Sequence, residues 1–136
     1  MKESLRETIE KLLALKGACS YDLATDLEIS NISMTQLNYL KQVNKLNETT
    51  ISELSETLHL SKPTVTETIK KLEQYDLVCK RKCNADARKY FIELTDRGEQ
   101  VANLEKLTID LLVEQLSEKL SEAEIEKLID ALKSIQ

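Results

Sequence analysis

The sequence predicts a mainly α-helical fold that carries one small β-hairpin, an α+β architecture in a single domain. Glycine and proline are scarce, with two and one among 136 residues, so few breaks between helices are expected. Three segments match the capping box of helix starts, in which Ser or Thr is followed three residues later by Glu or Gln. These pairs are Ser33 with Gln36, Thr50 with Glu53, and Ser121 with Glu124.

The N-terminal part of the chain is predicted to be helical. Leu5, Ile9, Leu12 and Leu13 recur at helical spacing, which predicts a first helix over about 3–16. Gly17 is a candidate end for this helix, and a second helical stretch over 21–28 either follows it or continues it as one long helix. Another helix is expected from Ser33 to about residue 46.

The middle of the chain has the order short helix, turn, helix, hairpin. The helices are predicted at 51–58 and 62–75, with Ser61 as a candidate N-cap between them. His59 in the turn is expected to have a structural role, since histidine tolerates a positive φ better than most residues. Two short runs rich in β-branched and aromatic residues, 77–82 and 89–94, predict strands around a polar tip.

Two helices are predicted to close the chain, one unbroken over 97–120 after an N-cap at Thr95, and one over 122–135. The first would be about 36 Å long at 1.5 Å per residue. Both carry continuous apolar stripes, which a small unit cannot cover alone, so we expect them to pack against a second copy in a two-fold dimer. Pairing with the first helix within one chain is the alternative.

These elements suggest two regions within one domain. The expected helical dimerisation region comprises 1–30 and 96–136, and the region between them is 31–95. Charge is distributed unevenly: the net charge is −5, yet residues 62–89 hold eight basic and four acidic side chains. A basic segment on an acidic body attracts phosphate through its local field. A solvated charge cluster is the alternative interpretation.

The helix over 62–75 has an apolar side and a polar side. Val65, Ile69 and Leu72 lie at helical spacing on the apolar side. The polar side carries hydroxyls, an amide and lysines, which suit phosphate oxygens and base edges, although an ordinary solvated face looks similar. Its N-terminus, from Ser61 to Thr64, has free N–H groups and a positive dipole end that favour a phosphate.

The hairpin offers a second basic surface. Lys80, Arg81 and Lys82 lead into its tip, and Arg88 and Lys89 lead out of it. An exposed basic hairpin beside such a helix is a second place to contact DNA. An arginine at its tip can enter a minor groove, where narrow A·T tracts deepen the negative potential.

Residues 50–98 contain the segments ISELSETL, SKPTVT, LEQYDLV, DAR in the hairpin and LTDRG, with MTQLNYL before them. In this order the segments resemble the core of the MarR-type winged helix-turn-helix regulators. The resemblance implies a homodimer that binds double-stranded DNA at a pseudo-palindromic operator, with half-sites about one helical turn apart. It also implies a repressor that is relieved by a small aromatic ligand or by thiol oxidation.

The resemblance assigns DNA contacts residue by residue. The recognition helix is the helix over 62–75 with its N-cap, and the wing is the hairpin over 77–94. The contacts in the recognition helix are Ser61, Lys62, Thr64, Thr66, Glu67, Lys70 and Lys71, and those in the wing are Lys80, Lys82, Asp86, Arg88 and Lys89. Arg88 would reach the minor groove, and Asp86 would orient either Arg88 or the wing backbone. The chain departs from the family pattern at Glu67, which is often basic, at His59, where glycine is common, and near Asp86, where the usual proline is missing.

Two sensing sites are candidates. Tyr21, Met34, Leu37 and Tyr39 would line a pocket for an aromatic ligand, although side chains at such spacing also form plain core. Cys79 and Cys83 would form a redox site, with pKa values lowered by the neighbouring basic residues. Four residues apart in a strand they lie about 13 Å from each other, too far for a disulfide. No metal site or cofactor is predicted, since Cys and His spacing matches no common zinc site.

Other classes of protein are disfavoured by the sequence. The chain has one histidine and no phosphate-binding glycine loop or nucleophile motif, so an enzyme is not expected. No signal peptide is predicted, no apolar run is long enough for a membrane, and the odd number of cysteines fits reduced thiols, so a cytoplasmic location is predicted. The remaining rival is a winged helix that contacts proteins, which should show apolar anchors on the polar face.

Overall fold

The computed structural model describes residues 1–135 and confirms a mainly helical fold with a small antiparallel sheet. In chain order the elements are α1 (Lys2–Asp26), α2 (Met34–Leu46), β1 (Glu48–Thr49), α3 (Ile51–Leu58), α4 (Lys62–Gln74), β2 (Val78–Lys82), β3 (Tyr90–Leu94), α5 (Asp96–Ala102), α6 (Leu104–Lys119) and α7 (Glu122–Lys133).

The chain divides into two compact units. The terminal unit consists of Met1–Leu23 with the chain from Glu105 onward, and the central unit is Ala24–Leu104. The expected division was at 30/31 and 95/96, whereas the central unit also takes in 24–30 and 96–104. Val101 and Ala102 pack in the central core, so α5 belongs with the helix-turn-helix and the hairpin.

The central unit has one hydrophobic core, made by one face of each helix and the inner face of the sheet. Its fully buried members include Leu40, Val43, Leu54, Val65, Ile69, Leu72, Leu77, Ile92 and Val101. Each such aliphatic side chain contributes about 1.5–3 kcal/mol when it leaves water. The predicted apolar side of α4 is confirmed, and its burial fixes which side of α4 faces solvent.

The sheet has three antiparallel strands in the order β1-β3-β2. Val78 lies opposite Leu94 and Lys82 opposite Tyr90 in the hairpin, while Glu48 and Thr49 lie opposite Glu93 and Ile92. The hairpin confirms the predicted strands. The sequence did not reveal β1, because two residues are too few to show an alternating pattern.

The capping signals locate most helix starts. Ser33 and Ser121 form complete capping boxes, and Ser61 and Thr95 are N-caps as expected. Thr50 caps α3, but the carboxylate of Glu53 accepts from Thr49 Oγ1 at 3.0 Å instead of closing the box. Gly17 lies inside α1, so the two N-terminal helical stretches are one helix.

The prediction of an unbroken helix over 97–120 is wrong, because the chain turns at Asn103 between α5 and α6. The Asn103 side chain donates from Nδ2 to Glu99 O at 2.8 Å, and its Oδ1 accepts from Asn44 Nδ2 at 3.4 Å. Asparagine side chains that bond nearby backbone compete with regular helix. The apolar periodicity runs through this position and gave no sign of the break.

The terminal unit buries little of its apolar surface. Cys19 is 4% exposed and accepts from Gln115 Nε2 at 3.6 Å, and Lys16 pairs with Glu105 at 3.8 Å, so α1 and α6 pack together. Many large apolar side chains are nevertheless exposed: Leu5, Ile9, Leu12, Leu13, Ile109, Val113, Leu128, Ile129, Leu132 and Ile135.

No helix among residues 1–135 combines the length and the apolar character needed to cross a membrane.

Candidate nucleic-acid interface

The turn between α3 and α4 is held by the backbone and by a left-handed residue. His59 has φ 56° and ψ 42°, its N–H donates to Glu56 O, and the N–H of Leu60 donates to Ser55 O at 3.0 Å. This pattern closes the end of a helix and normally uses glycine at the left-handed position. The expected structural role of His59 is therefore confirmed, and it fixes the angle at which α4 leaves the turn.

The solvent side of α4 carries the predicted recognition residues. Ser61, Lys62, Thr64, Glu67, Lys70 and Lys71 are exposed, and Thr66 is half-buried. Among the described residues, Lys62, Lys70 and Lys71 enter no ion pair. Their ammonium groups are therefore available to an anionic partner, and a shallow groove lined by Lys62, Pro63, Thr66, Glu67 and Lys70 runs along this side.

The first turn of α4 offers fewer free N–H groups than the sequence suggested. Ser61 Oγ accepts from the N–H of Thr64 at 3.4 Å and shares a 2.8 Å hydrogen bond with Thr64 Oγ1. Pro63 has no N–H. The N–H groups of Ser61 and Lys62 remain for a phosphate, and the positive end of the helix dipole adds to their attraction.

The tip of the hairpin is ordered by Asp86. Its Oδ1 accepts from the N–H of Arg88 at 3.0 Å, and its carbonyl accepts from the N–H of Lys89 at 3.0 Å. Arg88 extends into solvent with a side chain 95% exposed, and its Nε lies 4.0 Å from the same carboxylate oxygen. Of the two roles expected for Asp86, the structure places its hydrogen bond on the wing backbone.

Arg81 contributes to the sheet and leaves little charge for a ligand. Its guanidinium bonds Glu93 at 2.9 Å and also Glu48, so it links all three strands. It also lies over the ring of Phe91, 4.9 Å from the centroid. The hydrogen bond to Glu93 raises the pKa of Arg81 further above its usual value. This arginine braces the hairpin against β1.

Three predicted wing residues meet at one cavity. Lys80, Arg88 and Lys89 line a cavity of about 230 Å³ together with the start of α3 at Thr50, Ile51 and Ser52. Lys80 is partly covered and lies 3.9 Å from Glu73, with its side chain 29% exposed. Lys82 is exposed on β2. The wing therefore presents Lys82, Arg88 and Lys89 openly and Lys80 in a more sheltered position.

The expected lowering of the Cys79 pKa is wrong. Partial burial raises the pKa of the Cys79 thiol above its ordinary value, and the carboxylates of Glu93, Glu73 and Asp76 raise it further. The basic residues next to Cys79 in sequence do not determine its environment, because Lys80 and Arg81 are paired with acidic side chains. Both Cys79 and Cys83 are free thiols, with Cys83 half-buried.

The four residues of the candidate ligand pocket lie in different surroundings. Tyr39 is 1% exposed within the central core, and Leu37 packs against that core. Met34, at the start of α2, is 78% exposed, and Tyr21 in the terminal unit is 72% exposed. The pocket stays a prediction, with Tyr39 and Leu37 also serving as ordinary core.

The start of α5 contacts the exit of α4, the segment 75–77 where the chain leaves that helix. The sequence did not predict this contact. Thr95 Oγ1 donates to Asp76 O at 2.6 Å, and the N–H of Thr95 donates to Leu77 O at 3.1 Å. A Cβ at Gly98 would lie 1.9 Å from Leu77 O, so only glycine fits there. The segment LTDRG was the available signal, but a motif alone does not say which backbone it will contact.

The geometry defines a class of protein, the winged helix-turn-helix proteins with a polar, lysine-bearing recognition helix and a basic wing. Residues 32–90 match the model of the MarR family. The chain is 31% identical over 133 residues to the HTH-type transcriptional regulator TcaR of Staphylococcus aureus, covering 96% of this chain and 85% of TcaR. The chain belongs to the MarR family, and it is a transcriptional regulator.

Solved structures share the fold over nearly the whole chain. Transcriptional regulator Tm0710 of Thermotoga maritima superposes with a TM-score of 0.63 at 24% identity, covering 99% of this chain and 92% of that one. A mutant of S. aureus MepR bound to an oligodeoxyribonucleotide superposes with a TM-score of 0.63 at 23% identity, covering 100% of this chain and 99% of that one. A mutant of Escherichia coli MarR complexed with operator DNA superposes with a TM-score of 0.55 at 21% identity, covering 97% of this chain and 93% of that one.

Proposed function

We propose that this regulator binds double-stranded operator DNA as a homodimer, with α4 in the major groove and the wing over the adjacent minor groove. The observation that carries the proposal is the exposed side of α4, where three unpaired lysines stand among hydroxyls, beside an arginine 95% exposed at the wing tip. The similar folds of MepR, bound to an oligodeoxyribonucleotide, and of MarR, bound to operator DNA, support it.

The proposed contacts are of two kinds, contacts to the phosphate backbone and contacts to the bases. The lysines, the Ser61 hydroxyl and the first N–H groups of α4 suit phosphates, which position the helix without reading sequence. Thr64, Thr66 and Glu67 project toward base edges. On the wing, Arg88 suits the narrow minor groove, while Lys82 and Lys89 suit the flanking phosphates.

Dimerisation is proposed through the terminal unit. Apolar side chains such as Leu5 at 60%, Leu13 at 61% and Leu132 at 55% are exposed there, and so many exposed large apolar side chains are unusual for a monomer. A two-fold dimer would bury them and would present two copies of α4 to two half-sites. A pseudo-palindromic operator follows from that symmetry.

We propose that the bound dimer represses transcription in the cytosol and that a small aromatic ligand relieves it. The raised pKa of Cys79 disfavours the thiolate that oxidation needs, so ligand relief is the first route to test. No catalytic activity is proposed. The rival function, a protein-binding winged helix, is less well supported because the exposed side of α4 has no large apolar anchor.

The test is a binding titration of the purified full-length protein against labelled DNA. The duplexes are the promoter upstream of its own gene, a duplex selected from a random pool, and a random duplex of equal length. Each is titrated at several salt concentrations with wild type, Arg88→Ala and, as a matched control, Arg6→Ala on the exposed surface of α1.

We expect the wild type to prefer the selected duplex and to lose affinity by roughly 0.9 log units per phosphate contact for each tenfold rise in salt. Arg88→Ala should weaken binding and Arg6→Ala should not. Equal affinity for selected and random duplexes, or no salt dependence, would contradict sequence-specific DNA binding and favour a protein partner.

A further inference from the structure

We propose that Arg97 is a positioning residue for DNA recognition, which holds the C-terminal end of α4 so that the recognition helix meets DNA at a fixed angle. The inference rests on the proposed DNA-binding function and adds a residue outside the DNA surface. It is carried by the hydrogen bonds of one guanidinium group in the first turn of α5.

The Arg97 guanidinium donates to three backbone carbonyls. Nε and Nη2 donate to Leu27 O at 3.1 and 2.8 Å, and Nη2 also donates to Glu28 O at 3.1 Å. Nη1 donates to Tyr75 O. A guanidinium has five N–H donors in a rigid planar fork. Three nitrogens are engaged here, so the group has little freedom to turn toward another partner.

Leu27 and Tyr75 occupy equivalent positions at the ends of two helices. Leu27 follows α1 and Tyr75 follows α4, and the next residue of each is left-handed, Glu28 with φ 55° and Asp76 with φ 57°. The last carbonyls of a helix lack intrahelical partners and carry the negative end of its dipole. One cation therefore joins both helix ends.

Thr95 adds to the contacts that Arg97 makes where the chain leaves α4, at residues 75–77. We call the contacts of Arg97 and Thr95 with these residues the clamp. The carbonyls of residues 75, 76 and 77 are contacted in order: Arg97 bonds the first, the Thr95 hydroxyl the second, and the Thr95 N–H the third. Gly98 lets the chains approach closely enough for this. Only Arg97 among these residues extends the clamp to the end of α1.

The geometry of α4 explains why its exit affects recognition. The helix has 13 residues and is about 20 Å long. A tilt of roughly 10° about one end of the helix moves the other end by about 3.5 Å. This shift is as large as the donor–acceptor distance of a long hydrogen bond, so it breaks hydrogen bonds that need a fixed position. Phosphate contacts tolerate such a shift through long lysine side chains, whereas base-edge contacts do not. Loss of the clamp should therefore reduce discrimination before it reduces affinity for DNA in general.

The experiment compares Arg97→Met, Arg97→Lys and the matched control Arg6→Met in the full-length protein. Affinities for the selected and random duplexes are titrated over several salt concentrations, and urea unfolding is followed for each variant. Hydrogen exchange is measured at the amides of residues 72–77 in the free protein.

We expect Arg97→Met to lower the preference for the selected duplex about tenfold, as for the loss of about one base contact. Affinity for the random duplex should stay within about twofold, with an unchanged salt slope, and exchange at residues 72–77 should accelerate. Arg97→Lys should recover part of the preference, because an ammonium can bond one helix end but not both. Arg6→Met should behave as wild type.

Three results would overturn the inference. An unchanged preference in Arg97→Met excludes a positioning role, and a parallel loss of both affinities together with stability shows a merely structural one. A smaller salt slope shows a direct phosphate contact. If the wild type itself does not prefer the selected duplex, the proposed function fails, and the inference that rests on it fails for that separate reason.

Discussion

Glu67 is an exposed carboxylate on the side of α4 that we propose contacts DNA, between Lys62 and Lys70. A carboxylate repels phosphates but accepts a hydrogen bond from the N4 amino group of cytosine. We expect Glu67→Gln to shift the preference at one position of each half-site from cytosine toward adenine, which a glutamine amide contacts in two places. The change should be worth about 1–3 kcal/mol at that position.

The measurement is competition binding with duplexes that carry each of the four bases at that position, with Glu126→Gln on the exposed surface of α7 as the control. Equal strengthening on all four duplexes would show that Glu67 acts only through its charge and reads no base.

Cys79 should react slowly as a nucleophile at neutral pH. Burial and three nearby carboxylates raise its pKa, so the thiol stays protonated to higher pH than in the unfolded chain. Alkylation of Cys79 by iodoacetamide, followed by mass spectrometry, should be slower in the native protein than in urea. The native rate should begin to rise only at a higher pH than the rate in urea does. A native rate equal to that in urea at pH 7 would contradict this prediction.

The raised pKa of Cys79 also makes the stability of the fold depend on pH. The folded state holds the Cys79 proton more tightly than the unfolded state does, so the contribution to stability is complete below the unfolded pKa. It is lost as the pH rises toward the folded pKa. The effect belongs to the alkaline side, and the thiol gives no loss of stability on acidification.

The two hairpin arginines show what a sequence can and cannot predict about single residues. Arg88 and Arg81 look alike as basic residues near the tip, and Arg88 is exposed as predicted. Arg81 instead bonds Glu93, 12 residues away, and Glu48, 33 residues away. Local patterns do not contain partners at that separation, because the three strands bring them together only in the folded sheet.

At the scale of elements, local chemistry predicted the starts of helices better than their ends or breaks. N-caps act over three residues, so Ser33, Ser61, Thr95 and Ser121 were visible in the sequence. The break at Asn103 depends partly on Asn44, 59 residues away. Strand β1 exists only because β3 lies beside it. Long-range contacts determine both features.

The two glycines should respond oppositely to alanine. At Gly98 a Cβ would meet Leu77 O at 1.9 Å, so Gly98→Ala must move the start of α5 away from the exit of α4. We expect a loss of about 1–3 kcal/mol of stability from the overpacking and weaker DNA binding. Gly17 lies within α1 with open space where a Cβ would lie, so Gly17→Ala should stabilise by about 0.5–1 kcal/mol.

Urea unfolding of both variants, with binding to the selected duplex, tests the pair. The Gly17 variant is the control, since it makes the same chemical change in the same kind of element. Equal stability of the Gly98 variant and wild type would show that α5 shifts freely, and the clamp on the exit of α4 would then have no energetic support.

At the scale of the whole molecule, the apolar stripes of α1, α6 and α7 predict a dimer, and apolar side chains of all three helices are exposed in one chain, such as Ile9, Val113 and Leu132. Leu132→Glu places a charge on α7 where the native side chain is 55% exposed. We expect this variant to sediment as a monomer of 15.5 kDa, while wild type sediments at twice that mass, because an unpaired charge is costly to bury in an interface. Lys133→Glu makes a nearby charge change at an exposed lysine and should remain dimeric.

The same variants link assembly to recognition. Two copies of α4 joined in one dimer bind two half-sites with a high effective concentration for the second contact. Leu132→Glu should therefore lose at least about 10²-fold in affinity for a two-half-site duplex, yet bind a single half-site as wild type does. A monomeric variant that keeps full affinity for the two-half-site duplex would show that each chain acts alone, and the apolar surface would then need a different partner.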